Sequence, residues 1–498
     1  MPWLSYRPGS EDADAPPLTL HVSRGEPTRE RCVRVTVLCE SRHGMGSTLS
    51  LCPPLPTCQV RGRESLDFSV GVEHHAVETS VPPVTSAVPS SSPKSILLGF
   101  VVNCSAGCGD PSSRPSVLYG VARRASMDLS GVRVLDLTRL LPGPYATQLL
   151  ADAGADVVKV ESPDRGDYAR TMTPTTEDGV SRVFDAVNRG KRSVALDLTT
   201  DAGLAAFDAL AREADAVVEG FAPGTAERLD VGHERLRELN PELVYCSLSG
   251  YGGTGPRRDH PGHDLNYVAT TGLLDMTRAD DGERPRIPGV PVADMAGGQA
   301  AAFAIVAGLL SRELGNGGCY VDTSLAEAAL SVTQPVAALA FDGDPRPGGT
   351  PLTGELPWYD VYEAGDGRYV TLAALEEPFW QAFCEAADRP NLVGVHGTTD
   401  PDERAALREA LTDLFAERSA AGWERLCGDT GMVARVRTPA EAVADESFRD
   451  RGVVHDGRVG FPGRVDGTVP ETDETVPNLG EHTESVLSEV GFDPDRLT

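Results

Sequence analysis

Short apolar runs alternate with amphipathic segments from residue 128 onward. The runs at 132–137, 156–160, 193–198, 216–219 and 243–248 have the length and apolar character of buried strands. Segments with helical spacing lie between them, at 144–153, 202–214 and 233–239. Strands and helices in alternation predict a parallel sheet covered on both faces, which is a Rossmann-like α/β domain.

The pattern changes beyond this domain. We predict an alanine-rich helix at 299–314 with Asp294 as its N-cap, a short strand at 320–322 and a helix at 324–339. A hairpin around Gly365-Asp366-Gly367 and helices at 377–387 and 402–417 follow. We therefore expect a large domain at 127–345, a smaller α+β domain at 346–437 and a mixed C-terminal segment at 438–498.

Residues 1–126 differ from the rest, because they are rich in Ser, Pro and Cys and show no clear period. The spacings among Cys32, Cys39, Cys52 and Cys58 lack the paired knuckles of a structural zinc site, although Cys104 and Cys108 leave a metal-binding module open. We expect a mostly disordered extension. A translation start placed too early, with Met127 as the true start, would also explain it.

The charge is strongly acidic and unevenly distributed. The chain has 74 acidic and 45 basic residues and a net charge of −29; residues 1–126 carry +1 and the remainder −30. This charge disfavours nucleic acid and anionic lipid as partners, since both would be repelled. Only Lys94, Lys159 and Lys191 are lysines, and a lysine-poor acidic surface predicts a halophilic protein. A coding bias that replaces Lys by Arg is the alternative.

Other features predict a cytoplasmic location. We find no run of about eighteen apolar residues and no signal peptide, so no membrane association is expected. The cysteines after residue 126 are Cys246, Cys319, Cys384 and Cys427, whose wide scatter is typical of reduced, buried thiols.

The loop after the first predicted strand lacks the G-x-G-x-x-G fingerprint of dinucleotide binding. It reads Thr138-Arg139-Leu140-Leu141-Pro142-Gly143-Pro144, which disfavours a nicotinamide-dependent dehydrogenase.

Several motifs together identify a family. In order, they are Val132-Leu137 with Pro142-Gly143-Pro144, Gly154–Glu161, Asn188–Ser193, Pro223–Leu229 and Ser249–Pro256. Their order and spacing resemble those of the class III CoA-transferase superfamily (CaiB/BaiF type) over about 128–485. The closest branch is that of the α-methylacyl-CoA racemases, because the chain also has Gly262-His263-Asp264-Leu265-Asn266-Tyr267 and, in the small domain, Glu376.

The resemblance implies a racemase or epimerase of 2-methyl-branched acyl-CoA thioesters. A proton α to a thioester is weakly acidic, so its removal needs a base and stabilisation of the enolate oxygen. His263 and Asp294 would be the two bases, one on each face, and Glu376 would orient the His263 imidazole. Backbone N–H groups from Asp294 onward would stabilise the enolate, and Gly297 with Gly298 would let the thioester approach.

CoA would be part of the substrate, and no cofactor or metal is expected. The resemblance suggests that Arg228, Lys191 and Arg192 contact its phosphates. Ser162 stands where family members often have an arginine, with Arg165 as a substitute. Ala222 and Gly253 also depart from the family pattern.

Two other functions stay open. A CoA transferase would use Asp294 as a nucleophile that forms a mixed anhydride and then a thioester, and it would need neither His263 nor Glu376. An acyl-CoA-binding protein without activity is the third reading. The resemblance also implies an interlocked homodimer, in which Glu376 comes from the second subunit and the segment 438–498 returns to the large domain.

Overall fold

The computed structural model describes residues 128–177, 179–279, 282–464, 467–470 and 475–497, together with the backbone of short strands before residue 120. The chain divides into two compact units, Met1–Ala122 and Arg123–Thr498, and each is considered by itself. The described backbone of the first unit forms one four-stranded and one three-stranded antiparallel sheet. Its side chains, including those of Cys104 and Cys108, lie outside the described residues, so our interpretation of residues 1–126 stays a prediction.

A six-stranded parallel sheet forms the centre of the second unit. Its strands are β1 Arg133–Leu137, β2 Asp156–Glu161, β3 Arg192–Ala195, β4 Ala216–Glu219, β5 Val244–Ser249 and β6 Tyr320–Ser324. Their order is β3-β2-β1-β4-β5-β6, and every neighbouring pair is parallel. The strand order reverses between β1 and β4, which is where such sheets usually bind ligands. The predicted Rossmann-like sheet is confirmed.

Helices cover both faces of this sheet. They are α1 Pro142–Asp152, α2 Arg182–Asn188, α3 Asp201–Arg212, α4 Thr225–Arg228, α5 His233–Leu239, α6 Asp264–Thr270, α7 Val292–Ser311, α8 Leu325–Val332 and α9 Gln334–Ala340. Because strand side chains alternate, Leu135 packs with Phe207 of α3 on one face, while Val134 packs with Ile305 of α7 on the other. Each face of the sheet therefore has its own apolar core.

The smaller domain is built on a three-stranded antiparallel sheet. Its strands are β7 Tyr359–Glu363, β8 Tyr369–Ala373 and β9 Val433–Arg435, and its main helices are α10 Glu377–Ala386, α11 Pro401–Ala416 and α12 Ala420–Cys427. The hairpin predicted around Gly365-Asp366-Gly367 is the β7–β8 pair. Trp358, Trp380 and Trp423 are buried in a single core with Phe383 and Phe415.

The chain then leads back to the large sheet. Short elements follow, namely α13 Pro439–Val443, α14 Glu446–Asp450, β10 Val454–His455, β11 Arg458–Val459 and α15 Thr483–Glu489. Val486 and Leu487 of α15 are buried in the core of the large domain. Glu489 forms ion pairs with Arg133 at 2.7 Å and Arg192 at 2.6 Å, which link the C-terminal helix to β1 and β3.

Two helix boundaries differ from the prediction. Helix α7 begins at Val292 rather than 299, so Asp294 lies in its first turn and is not its N-cap. The predicted helix 324–339 is divided at Thr333 into α8 and α9, with Pro335 in the first turn of α9. A proline fits there, because the first N–H groups of a helix have no partner within it.

Helix α7 and its continuation, Val292–Asn316, are long and apolar enough to cross a membrane by length and composition alone. Such a test is weak evidence for one helix, and 44% of the most apolar window is buried within the fold. Glycines and alanines of α7 pack against α1, α8 and the sheet, which is the behaviour of a core helix.

Candidate active site

The motif that begins at Gly262 joins the start of α6 to the start of α7. Oδ1 of Asp264 accepts hydrogen bonds from the backbone N–H groups of Ala293, at 2.7 Å, and Asp294, at 3.1 Å. A carboxylate at this point satisfies two of the N–H groups that a helix N-terminus leaves free and interacts favourably with the helix dipole. The aspartate that caps α7 is therefore Asp264, which precedes the helix by almost thirty residues.

The carboxyl group of Asp294 is half-buried beside this cap. Burial and, less strongly, charge repulsion from Asp264 raise its pKa to about 6, while His263 acts in the opposite direction. The carboxylate of Asp294 forms no hydrogen bond or ion pair within the described part of the chain. It is thus an available carboxylate whose ionisation lies close to neutral pH.

His263 is exposed and lies just before α6, close enough to Asp294 to affect its pKa. The structure therefore brings these two predicted residues together. The backbone N–H of His263 donates to the side-chain oxygen of Asn266 at 3.0 Å, so the asparagine of the motif fixes the backbone at the histidine.

The tyrosine of the same motif packs against the loop that carries His263. Tyr267 is buried, and its hydroxyl donates to the carbonyl of Gly262 at 2.7 Å. A Cβ atom at Gly250 would lie 2.4 Å from that hydroxyl, and one at Gly262 would lie 2.7 Å from the ring. Two glycines thus let the ring pack between the end of β5 and the loop that carries His263.

Two supporting roles that we assigned to α7 are wrong. The N–H groups of Ala293 and Asp294 already donate to Asp264, so they are not free to stabilise an enolate oxygen. Gly297 and Gly298 are buried: a Cβ at Gly297 would meet the Leu325 side chain at 2.2 Å, and one at Gly298 would meet the Pro142 carbonyl at 2.6 Å. These glycines allow close helix packing and do not open the site to a thioester.

Glu376 is exposed in the small domain, at the residue just before α10. No hydrogen bond or ion pair joins it to His263 among the residues that the structure describes. Within the described part of one chain, His263 and Asp294 thus lie together, and no hydrogen bond or ion pair joins Glu376 to either of them.

A pocket of about 230 Å³ lies at the carboxyl ends of β1, β2 and β3, beside the reversal of strand order. Its walls include Arg139 after β1, Ser162 after β2 and Phe221 after β4, while Thr225 and Leu229 close it at α4. This is the usual position of a nucleotide-like ligand in such a sheet. Ser162, where the family pattern has an arginine, belongs to the wall.

A buried charge network lies beneath this pocket. Nζ of Lys159 is 3.0 Å from Asp167 and 3.9 Å from Asp136, and it donates to the carbonyl of Thr138 at 2.9 Å. Burial alone would raise the pKa of Asp136, but Lys159 and Lys191 overcome this and lower it well below its ordinary value. The network thus holds the loop that leads to Arg139.

Lys191 belongs to this network and not to the pocket. Its fully buried ammonium group donates to Asp136 at 3.1 Å and Thr147 at 2.8 Å, as well as to Pro144 and Asn188. Burial lowers its pKa to about 8, although Asp136 acts against this shift. With every N–H already used, its side chain is not placed to bind a phosphate, which corrects the role that we predicted for it.

The three predicted arginines lie in different places. Arg192 is the first residue of β3 and so lies at the amino ends of the strands, opposite the pocket. It pairs with Asp156 at 2.6 Å and with Glu489, so its predicted phosphate contact is not supported. Arg165 is exposed between the pocket residues Ser162 and Gly166. Arg228 is exposed at the end of α4 and donates to Oγ1 of Thr225 at 2.6 Å, which places it at the rim.

Sequence reasoning missed Arg139. Its guanidinium lies 5.0 Å from the ring centre of Tyr168 and 5.6 Å from that of Phe221, and it lines the pocket. The available signal was its position directly after the first strand, where a Rossmann-like sheet presents its ligand-binding loop. No cluster of three or more His, Cys, Asp or Glu suited to a metal occurs in the described ranges.

Comparisons with known proteins agree with this architecture. The family model described as CoA-transferase family III matches residues 129–483. A succinyl-CoA:mesaconate CoA-transferase of Haloarcula marismortui is 37% identical over 73% of this chain and 97% of its own length. A succinyl-CoA:glutarate CoA-transferase of Mus musculus is 32% identical, over 73% and 86% of the two chains. An α-methylacyl-CoA racemase of Homo sapiens is 30% identical, over 74% and 95%.

A solved crystal structure is similar to this chain in fold and sequence. The crystal structure of a CaiB/BaiF family protein from Brucella suis has a TM-score of 0.64 and 31% identity, and it covers 74% of this chain and 100% of that one. The family model spans the large sheet, the loop of His263 and Asp294, and the small domain. This chain therefore belongs to CoA-transferase family III.

Proposed function

We propose that this protein is a CoA transferase, which moves CoA from an acyl-CoA donor to a carboxylic acid with Asp294 as the nucleophile. The observation that carries the proposal is the Asp294 carboxylate, which is half-buried, has no hydrogen-bonding partner in the described part of the chain and has a pKa of about 6. At neutral pH it is mostly ionised, and its partial desolvation favours attack on a carbonyl carbon.

The proposed reaction has four balanced steps. The Asp294 carboxylate attacks the thioester carbonyl and releases the CoA thiolate, which leaves a mixed anhydride between the acyl group and Asp294. The thiolate then attacks the Asp294 carbonyl, which forms an aspartyl-CoA thioester and releases the donor acid. The acceptor carboxylate attacks this thioester, which forms a second anhydride and releases the CoA thiolate. The thiolate then attacks the acyl carbon of the acceptor, which gives the new acyl-CoA and releases the Asp294 carboxylate.

The relatives favour this reaction over the racemisation that our sequence analysis ranked first. Transferases are 37% and 32% identical to this chain, and the racemase is 30% identical. Both transferases are named for succinyl-CoA. We therefore expect a succinyl-CoA donor and a small dicarboxylic acid as acceptor.

Racemisation is the second candidate, because His263 and Asp294 are adjacent as a two-base mechanism requires. It further needs Glu376 near His263, and in the proposed interlocked homodimer that residue would come from the partner. An exposed apolar stripe on α7 and its continuation supports such a dimer: Phe303, Leu310 and Leu314 are 76%, 60% and 74% exposed. One helix turn or two separate them, so they form a single face.

We also propose that the protein works at high salt. The only lysines after residue 126, Lys159 and Lys191, are both fully buried, so the surface cations of this region are arginines. The region carries a net charge of −30, whose self-repulsion is screened by salt.

The deciding experiment compares two reactions in molar salt. In the first, succinyl-CoA and a panel of carboxylic acids are incubated with the protein, and the acyl-CoA products are separated by chromatography. In the second, one epimer of a 2-methylacyl-CoA is incubated in deuterated water without an acid. New acyl-CoA that depends on the acceptor supports the transferase. Deuterium at the α-carbon with both epimers, and no transfer, would establish the racemase instead.

A further inference from the structure

Two side chains that can carry positive charge meet at Tyr251, in the loop between β5 and α6. The guanidinium of Arg257 lies 5.8 Å from the centre of the Tyr251 ring, and the centre of the His260 ring lies 6.3 Å from it. Arg257 and His260 are the first and last residues of a turn, in which the N–H of His260 donates to the carbonyl of Arg257 at 2.9 Å. The turn thus holds both side chains against one aromatic ring.

The same ring connects this turn to the candidate active site. Tyr251 packs edge to face on Tyr267, with 5.1 Å between the ring centres. The hydroxyl of Tyr267 supports the loop of His263. Burial and, less strongly, the charge of Asp294 raise the pKa of Tyr267 to about 12, so Asp294 is a close neighbour of this ring. Two tyrosine rings therefore separate Arg257 from the reacting carboxylate.

Arg257 is a cation without an ionic partner in the described part of the chain. Its side chain is exposed and makes no hydrogen bond or ion pair there, while the nearby Asp259 pairs with Arg258 at 3.4 Å. The region after residue 126 carries a net charge of −30, so a guanidinium left unpaired near the active site indicates a place for an anion from outside the chain. A guanidinium that rests on an aromatic ring with its N–H groups free suits a carboxylate.

The proposed reaction supplies such an anion. A dicarboxylic acid that reacts at Asp294 through one carboxyl group must place its other carboxylate farther away. In a four- or five-carbon diacid the two carboxyl carbons are about 4–5 Å apart by ordinary bond lengths. The attack at one end and the ion pair at the other each add about 3 Å, so the cation belongs roughly 10 Å from the Asp294 carboxyl group. The two tyrosine rings between Asp294 and Arg257 span a distance of this order.

We propose that Arg257 binds the distal carboxylate of a dicarboxylic acid and thereby selects diacids over monocarboxylic acids as acceptors. Tyr251 orients the guanidinium by stacking, and His260 offers a second donor at the same ring. The free carboxylate of a succinyl-CoA donor occupies the same place, because the donor and acceptor acyl groups react in turn at Asp294. The inference rests on the proposed function, since it names the acids that the transferase accepts.

The experiment measures kcat/KM, at saturating succinyl-CoA, for the diacid that reacts fastest and for its monoamide, which has the same length but no distal charge. The unsubstituted protein should prefer the diacid about tenfold or more, the effect of one charged hydrogen bond. Arg257→Gln should abolish this preference, because the diacid loses its charged contact and the monoamide has none to lose. Arg257→Lys should restore part of it. Arg237→Gln, at an exposed position on α5, should keep the full preference. Thermal unfolding confirms that each variant is folded.

Three outcomes overturn the inference while the proposed function stands. If the unsubstituted protein uses diacid and monoamide equally well, no residue recognises the distal carboxylate. If Arg257→Gln behaves like Arg237→Gln, the preference arises elsewhere. If Arg257→Gln slows both acids alike and also raises the Kd of CoA, the guanidinium binds CoA and not the acid. If no acid accepts CoA from succinyl-CoA, the proposed function fails and the inference fails with it.

Discussion

Asp264 accepts a hydrogen bond from the backbone N–H of Asp294 at 3.1 Å, and its negative charge is one of the reasons why the Asp294 pKa is raised. One carboxylate thus positions the backbone of another and also makes it more basic. The motif that we interpreted mainly through His263 contains, one residue later, the group that acts most directly on Asp294.

This relationship predicts the pH dependence. Asp294 attacks only when ionised, so the rate of acyl transfer should fall as the pH drops through about 6. Asp264→Asn keeps an oxygen that can accept both N–H groups but removes the charge, so the midpoint of this acid limb should move to lower pH. Burial, the larger cause of the shift, keeps the midpoint above the ordinary value of ~3.9.

Measured pH–rate profiles test this point, with Asp259→Asn as the control because Asp259 is exposed in the same loop. An acid limb that moves as little in Asp264→Asn as in Asp259→Asn would show that the repulsion between the two carboxylates does not set the profile.

The buried network predicts a large loss of stability for Lys159→Met. The substitution leaves the buried Asp136 and Asp167 without their shared cation, which costs about 3–5 kcal/mol in comparable cases. Arg235→Met removes a more exposed partner of Asp208 and should cost much less. Denaturant unfolding in high salt measures both, and equal losses would mean that the network contributes no more than a surface ion pair.

Close packing of α1 and α7 predicts that Gly298→Ala is destabilising. The new methyl group would lie 2.6 Å from the Pro142 carbonyl and 2.8 Å from the Tyr145 ring, and such overpacking costs about 1–3 kcal/mol. Alanine is otherwise more favourable than glycine in a helix by about 1 kcal/mol, so a net loss of stability would show that the overpacking outweighs this gain. Gly394→Ala, with no neighbouring atom within 4 Å, is the control. An unchanged free energy of unfolding for Gly298→Ala would show that α1 and α7 can move apart at little cost.

The apolar stripe on α7 predicts the oligomeric state. If it is covered by a second copy of the chain, Phe303→Asp and Leu310→Asp should shift the protein from dimer to monomer in sedimentation experiments, because burying a carboxylate is costly. Val361→Asp, at an exposed apolar position of the small domain, should leave the dimer intact. A monomeric unsubstituted protein, or dimers in all three variants, would contradict this assignment.

The sequence predicted more of the fold than of the site, for physical reasons. Strands such as β1 and β4 follow from local runs of apolar residues, and their alternation with helices implies a parallel sheet. The cap of α7 could not be seen locally, because Asp264 reaches it from another helix. Asp294 was therefore placed as a cap instead of in the first turn.

The charged residues show the same limit. Lys191 and Arg192 are adjacent in a motif and looked equally suited to a phosphate, but Lys191 points into a buried network with Asp136 and Arg192 pairs with Asp156. Arg139 was marked only by its position directly after the first strand, and no local pattern set it apart from other arginines. Only the arrangement of strands and loops shows which cations reach the ligand-binding edge.

The most direct test is to trap the covalent intermediate on Asp294. The protein is incubated with succinyl-CoA without an acceptor acid, treated with hydroxylamine and digested, and the peptides are analysed by mass spectrometry. We expect a hydroxamate at Asp294, its absence in Asp294→Asn, and an undiminished adduct in Glu376→Gln. If Asp294 stays unmodified while a 2-methylacyl-CoA takes up deuterium at its α-carbon, the transferase account is contradicted.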